Sequence, residues 1–398
     1  MSATSSCDVL VIGGGPAGSA AGRVLAGAGY HVVIADQHTF PRDKVCGDGL
    51  ISDALQALTV LGVDAEIQRE AWHGRELRLY APDGRYVPLR GEFASLPRER
   101  LDDVLVVAAR RAGATFVQGT ATVPLWDGSR VAGARFRTAG GAADVAARIT
   151  ILATGANLTV LDAFGLRGPR KPEAVAGRAY YQAPPELAGS IQQLVIAYDR
   201  AWCPGYGWIF PGPGNRFNIG VGLFGGAAAG GRLHRFFDSF CKNFPLAARL
   251  VAASACVRPF RGAPIRSGLG RPQFGRPGLL AVGEALATTY SATGEGIGKA
   301  IESGMVAAEI ILDALRGRRL VDGLEDAYRS EFLTRFQGRY RAYRVAQRWA
   351  ASPMLLNLLA RRANAGSYVR EELEALVAER GDAADLFSAA GLVKALFR

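Results

Sequence analysis

The chain opens with a short apolar run, Cys7–Ile12, rich in β-branched residues. Such a run reads as a strand buried on both faces. An Ala-rich stretch over Ser19–Ala28 reads as a helix, and Tyr30–Ala35 as a second buried strand ending at Asp36. Over Leu77–Leu89, alternating runs flank Asp83-Gly84, which predicts a hairpin. Arg98–Arg111 reads as a helix; Thr115–Val117 and Ile149–Ala153 read as strands returning to the first sheet. From about 171 to 274 the pattern changes. Gly, Pro and aromatic residues accumulate, and alternating segments such as Leu194–Tyr198 and Phe217–Leu223 predict an antiparallel sheet. Gly278–Gly283 reads as a strand and Lys299–Leu315 as an amphipathic helix. From Gly323 onward the chain reads as helical, with Arg-rich faces and an apolar stretch at Pro353–Leu359.

Between the first strand and the first helix stands Gly13-Gly14-Gly15-Pro16-Ala17-Gly18, and Asp36 follows 18 residues after the last of these glycines. A G-x-G-x-x-G in that position is a dinucleotide fingerprint. Gly13 permits the tight turn, Gly15 lets the backbone approach a pyrophosphate, and Gly18 lets the helix pack on the strand. Asp36 can accept from a ribose hydroxyl. A second Gly-rich helix entrance follows Gly283-Glu284, at Thr293-Gly294-Glu295-Gly296-Ile297-Gly298. Two entrances so far apart point to one long cofactor, FAD, with helix N-termini facing its phosphates and the flavin edge.

Composition narrows the class. The chain has 398 residues, 49% hydrophobic and 21% charged, which excludes a disordered chain, a collagen or a coiled coil. Net charge is +11, but only five of the 47 basic residues are Lys and the arginines are scattered. No nucleic-acid reader motif appears, so no nucleic-acid partner is expected; a basic surface favours acidic substrates or anionic lipid. No apolar run reaches the roughly 18–20 residues that cross a bilayer. The N-terminus lacks a secretory pattern, and five unclustered cysteines fit a reducing cytoplasm. The four histidines lack metal spacing, so no metal is expected.

Three segments together resemble the geranylgeranyl-reductase-like branch of the flavoproteins that also contain the para-hydroxybenzoate-hydroxylase-type monooxygenases. They are the fingerprint with Asp36, Arg42-Asp43-Lys44-Val45-Cys46-Gly47-Asp48-Gly49, and Gly205-Tyr206-Gly207-Trp208-Ile209-Phe210-Pro211. The resemblance continues through Asn218–Gly222 and Thr293–Ile297. It implies an α/β fold in which a Rossmann-type FAD-binding domain (1–70, 99–170 and 275–322) is interleaved with an antiparallel-sheet substrate domain (71–98 and 171–274), followed by a C-terminal helical region (323–398). Cofactor contacts are expected at Gly13, Gly15, Ala17, Gly18, Asp36, Arg42, Cys46, Gly47, Arg100, Gly283, Glu284, Gly294, Gly296 and Ile297. The chain departs from the family at Glu284, where Asp is usual, at Ser291, where Pro is usual, and at Cys203, where Pro often stands. Ala153-Thr154-Gly155-Ala156 replaces the second Asp-Gly motif of hydroxylases.

Cys46, in a Gly-rich turn between Lys44 and Asp48, reads as a pocket thiol beside the flavin and a candidate proton donor; the plainer reading is a small buried residue in a turn. Tyr206, Trp208 and Phe210 share one face of a strand. They form either an aromatic wall for a lipophilic substrate or part of the sheet core. Glu295 reads as structural rather than as a base. The expected chemistry is hydride transfer to or from a carbon–carbon bond of a prenyl, terpenoid or polyketide-type molecule. Electrons would come from NAD(P)H or an external electron-donor protein, and peripheral membrane contact is open. The alternative is a monooxygenase acting on a secondary metabolite. A halogenase fits poorly, because its W-x-W-x-I-P motif is absent and Lys44 and Lys171 are the only lysines before the pocket strand. A non-enzymatic flavin-binding role is the remaining class.

Overall fold

The computed structural model describes residues 4–166, 173–225, 231–270, 272–317, 323–381 and 394; Lys171 lies outside them. Strands β1 (Thr4–Ile12) and β2 (Val32–Asp36) flank helix α1 (Pro16–Gly27). Then come β3 (Gly49–Leu50), α2 (Ser52–Val60), α3 (Asp64–Glu70), β4 (Trp72–Tyr80), β5 (Tyr86–Ser95), α4 (Arg98–Arg111), β6 (Thr115–Gln118), β7 (Thr120–Asp127), β8 (Arg130–Thr138), β9 (Gly141–Leu152) and α5 (Leu158–Ala163). The second half holds β10 (Ala174–Gln182), α6 (Pro185–Gly189), β11 (Leu194–Tyr198), β12 (Gly205–Gly212), β13 (Arg216–Phe224), α7 (Arg232–Asn243), α8 (Pro245–Ala253), β14 (Ala255–Ile265), β15 (Gly275–Arg276) and β16 (Leu279–Ala281). Helices α9 (Ile297–Leu315), α10 (Leu324–Ala350), α11 (Pro353–Ala365) and α12 (Tyr368–Val377) follow.

One sheet is built around the parallel order β16-β9-β1-β2-β6, with β7, β8 and β15 added antiparallel. Val9, Leu10 and Val11 at its centre are fully buried, as a strand covered on both faces requires. Helix α1 packs between α4 and α9 on one face. Gly304 of α9 makes that approach close: a Cβ there would stand 2.2 Å from the Ala17 carbonyl oxygen.

The other sheet runs β14-β10-β13-β12-β11-β4-β5-β3 and is antiparallel except at β11/β4, where Leu194 pairs with Leu77 in parallel. The 171–274 region also contains α7 and α8, which the sequence reading treated as sheet. Phe236, Phe237 and Phe240 of α7 bury themselves against Ile209, Ile219 and Val221. Gly207 leaves the space, since a Cβ would meet the Phe240 ring at 2.5 Å. Helix α10 adds Tyr328, Phe332 and Tyr340 to the core of the first sheet, whereas α11 and α12 cover β4 and β5.

Candidate active site

A cavity of about 600 Å³ lies between the two sheets. Its lining includes Gly13, Gly15, Ala17, Asp36, Arg42, Cys46 and Gly47 from the first part of the chain. Tyr206, Trp208 and Phe210 line it from β12, and Gly283, Glu284, Gly294, Gly296 and Ile297 from the last third. Gly18 does not line the cavity. It sits behind it, where a Cβ would strike the Gly13 carbonyl oxygen at 1.9 Å, and so permits the close turn of strand into helix.

Arg100 is a correction. It is not among the lining residues; its guanidinium is exposed and bonds Glu70 and Asp103 on the far side of α4. Arg98, half a turn earlier, lines the cavity instead. Its Nε and Nη2 grip the buried Asp102 carboxylate at 2.7 and 2.8 Å, and Arg42 Nη1 reaches the same carboxylate at 2.7 Å. Burial opposes the Arg98 charge, but Asp102 outweighs it and keeps the guanidinium protonated. Burial likewise opposes the Asp102 charge, and Arg98 and Arg42 outweigh that and hold its pKa below the usual range. The i, i+4 spacing of Arg98 and Asp102 was the available signal.

The nucleotide end fits an FAD. The Cβ direction of Gly15 points into open space bounded by Arg98 and Arg42 nitrogens, 3.9 and 4.0 Å away. Gly15 caps α1, whose first residue is Pro16, so the helix opens onto the cavity with free N–H donors. The Asp36 carboxylate is held at the end of β2 by N–H donors from Gly14 (2.8 Å) and His38 (2.9 Å). From the other end of the chain, Gly296 caps α9 and also faces the cavity. Glu284 reaches Lys44 Nζ at 3.4 Å and accepts the Arg266 N–H at 3.1 Å. The longer carboxylate therefore ties the Cys46 loop to the last third of the chain.

The pocket wall is both lining and packed surface. Tyr206 and Trp208 are 8% and 5% exposed, yet both face the cavity. The Tyr206 hydroxyl donates to the Thr293 carbonyl, fastening the wall to the second Gly-rich entrance. Gly220, opposite Trp208 in β13, makes room for the indole; a Cβ would meet it at 2.2 Å. The Cys46 loop lies across this wall, and a Cβ on Gly47 would touch the Phe210 ring and Trp208 Nε1 at 3.4 Å.

Sequence reading missed what holds that loop. Asp48 is 1% exposed and accepts from the Tyr180 hydroxyl, from Asn218 Nδ2 at 2.7 Å and from the Arg98 N–H at 3.2 Å. Asn218 also donates to the Cys46 carbonyl at 2.8 Å and accepts the Trp208 indole N–H at 2.9 Å. One buried network thus fixes the thiol-bearing loop and the aromatic wall together. Burial pushes the Asp48 carboxyl up to about 6 against these donors. Burial also raises the Cys46 thiol, so it stays protonated, with the Arg98 charge pulling the other way. Glu295 lines the cavity too, and burial with the nearby Asp53 charge lifts it to about 8.

The comparisons agree with this geometry. Residues 6–190 match the family model described as FAD binding domain. The chain is 31% identical to digeranylgeranylglycerophospholipid reductase 1 of Methanopyrus kandleri over 84% of this chain and 85% of that protein. It is 32% identical to menaquinone reductase of Mycobacterium tuberculosis over 78% of each. A geranylgeranyl bacteriochlorophyll reductase-like protein from Thermoplasma acidophilum superposes with a TM-score of 0.80 at 23% identity, over 99% of this chain and 96% of that one. A flavin-dependent brominase superposes at 0.77 with 20% identity, over 99% and 100%; the fold thus houses more than one chemistry. It is the sequence identity, sustained across most of the chain, that decides among them: this protein belongs to the geranylgeranyl-reductase-like branch of the FAD-dependent hydroxylase-type flavoproteins and is an FAD-dependent oxidoreductase.

Proposed function

We propose that the protein adds hydrogen to a carbon–carbon double bond of a lipophilic, prenyl-type substrate or, in reverse, removes it from a saturated carbon–carbon bond. The observation that carries this reading is the continuity of the cavity. Its nucleotide cradle and its apolar wall of Tyr206, Trp208 and Phe210 are one space, with the Cys46 loop between them. FAD supplies the hydride equivalent when bound. The two reductases to which the chain is similar are named for a geranylgeranyl lipid and for a prenylated quinone.

The chain's residues have separable tasks. The aromatic wall holds an extended alkene flat and excludes water. The Cys46 thiol, kept protonated by burial, gives its proton to the second alkene carbon as hydride reaches the first. The thiolate left behind lies near the Arg98 charge and accepts the Asp48 N–H, 3.4 Å from Sγ. In the reverse direction the same thiolate takes the proton back. Asp48, Asn218 and Tyr180 act as positioning residues, since they fix the loop and Trp208 rather than the reacting carbons. A transient NAD(P)H or a separate reductase reloads the cofactor.

Oxygen separates this reading from the monooxygenase. The FAD-reduced enzyme is mixed anaerobically with prenyl alkenes, and flavin oxidation is followed alongside product mass. Stoichiometric oxidation with a saturated product is the expected result. In a parallel reaction of the reduced enzyme under ¹⁸O₂, incorporation of label into the product would overturn it. Cys46→Ala should retain FAD and lose roughly 10²-fold in kcat with little change in KM.

A further inference from the structure

Beside Phe210 the cavity is lined by Ile51, Leu77, Leu194 and Ile196, and Val377 belongs to the same apolar cluster and reaches the cavity lining too. Val377 is the last residue of α12, an element otherwise remote from the cofactor. Two independent anchors hold it there. On one side, Val369, Leu373 and Leu376 pack on Leu77, Val87, Leu89 and Phe93, and Glu374 accepts the Arg90 N–H at 2.9 Å. On the other, the chain turns back just after α12 through Glu379, whose φ is +57°. The Glu379 side chain is 5% exposed, lies 3.5 Å from Lys299 Nζ and is paired with Arg339. Lys299, 1% exposed in the first turn of α9, also meets Glu302 at 2.6 Å and Asp53 at 3.5 Å. Removing one member of so buried a charge cluster leaves the others uncompensated, so it fixes position strongly. Val377 stands between the two anchors.

We infer that α12 is the end stop of the substrate cavity: Val377 sets the length of lipophilic chain that fits, and Glu379 is the positioning residue that holds α12 at that depth. The inference rests on the reading that the cavity takes a prenyl-type chain. A larger residue at Val377 shortens the apolar arm, and a smaller one extends it. A loosened anchor removes the sharp limit on chain length.

The test uses the full-length, FAD-loaded protein and the alcohols geraniol, farnesol and geranylgeraniol. Equilibrium binding is read from tryptophan quenching and anaerobic turnover from flavin oxidation. Val377→Trp should weaken geranylgeraniol about tenfold or more while leaving geraniol within about threefold. Val377→Ala should shift preference the opposite way, which guards against a misfolded Trp variant. Glu379→Gln should flatten the length preference, read as the ratio of KM values across the three alcohols, and Glu379→Asp should restore part of it. An unchanged ratio of affinities in both Val377 variants overturns the end stop, even if turnover supports the function. A shifted ratio without any flavin oxidation supports the end stop and overturns the function. Failure of all three alcohols to bind overturns both.

Discussion

A Cβ at Gly15 would point into the space that two guanidiniums border, and among the described residues no other atom comes within 4 Å of it. Gly15→Val should therefore give a folded protein that elutes without yellow colour; stoichiometric FAD in that variant would move the phosphates elsewhere. Asp36 spends two acceptor sites on the Gly14 and His38 N–H groups and retains lone pairs for a ribose. Asp36→Ala should weaken FAD by about 1–3 kcal/mol in a calorimetric titration of the stripped protein. Asp48 carries part of the pH dependence. Its carboxyl titrates near 3.8 when unfolded and near 6 when folded, so between those values the folded state binds more protons. Stability contributed by the protonated form is whole below about pH 4 and is lost as pH rises to about 6, by roughly 3 kcal/mol. Urea unfolding at a series of pH values should show that fall in the parent and a smaller one in Asp48→Asn, where the part that remains belongs to Glu295, lifted by burial to about 8.

Among the elements, those whose pattern is local were legible. The β1–α1–β2 unit carries its own punctuation in glycines. Helix α4 begins and ends at Arg98 and Arg111, where the sequence reading put it. The alternation of Tyr206, Trp208 and Phe210 survives as three side chains on one cavity face. Helix α7 was not read, although Leu233, Phe236, Phe237 and Phe240 repeat at helical spacing; the surrounding Gly, Pro and aromatic composition favoured strands. Asp48 and Asn218 fall in segments the resemblance picked out, but their pairing had no signal, because Tyr180 and Asn218 lie 132 and 170 residues from Asp48 in sequence. Packing between elements makes its own demand. Gly304→Ala would press α9 on the α1 backbone at Ala17, a cavity residue. That substitution should cost about 1–3 kcal/mol in stability and weaken FAD as well, seen as a lower Tm whose gain on adding FAD is also smaller.

At the scale of the whole molecule, the chain passes back and forth between its sheets. It leaves the parallel sheet after β2, returns at β6, leaves again after β9 and returns at β15. The cofactor cradle is thus assembled from the two extremes of the sequence: α1 opens it near the start, and β16 with α9 completes it. A fragment ending at residue 190, where the family match stops, should fail to retain FAD in gel filtration, although it contains the whole fingerprint. On the ribosome this becomes a matter of time. At roughly 5–20 residues per second, the interval between emergence of α1 and of α9 is on the order of tens of seconds. From the emergence of β9 until β16 follows, the Thr150–Leu152 end of β9 lacks its β16 neighbour, and an open edge is the kind of strand that pairs with the wrong chain. The nascent protein cannot be rescued early by its own cofactor, because the ligand that would stabilise it has only half a site to enter.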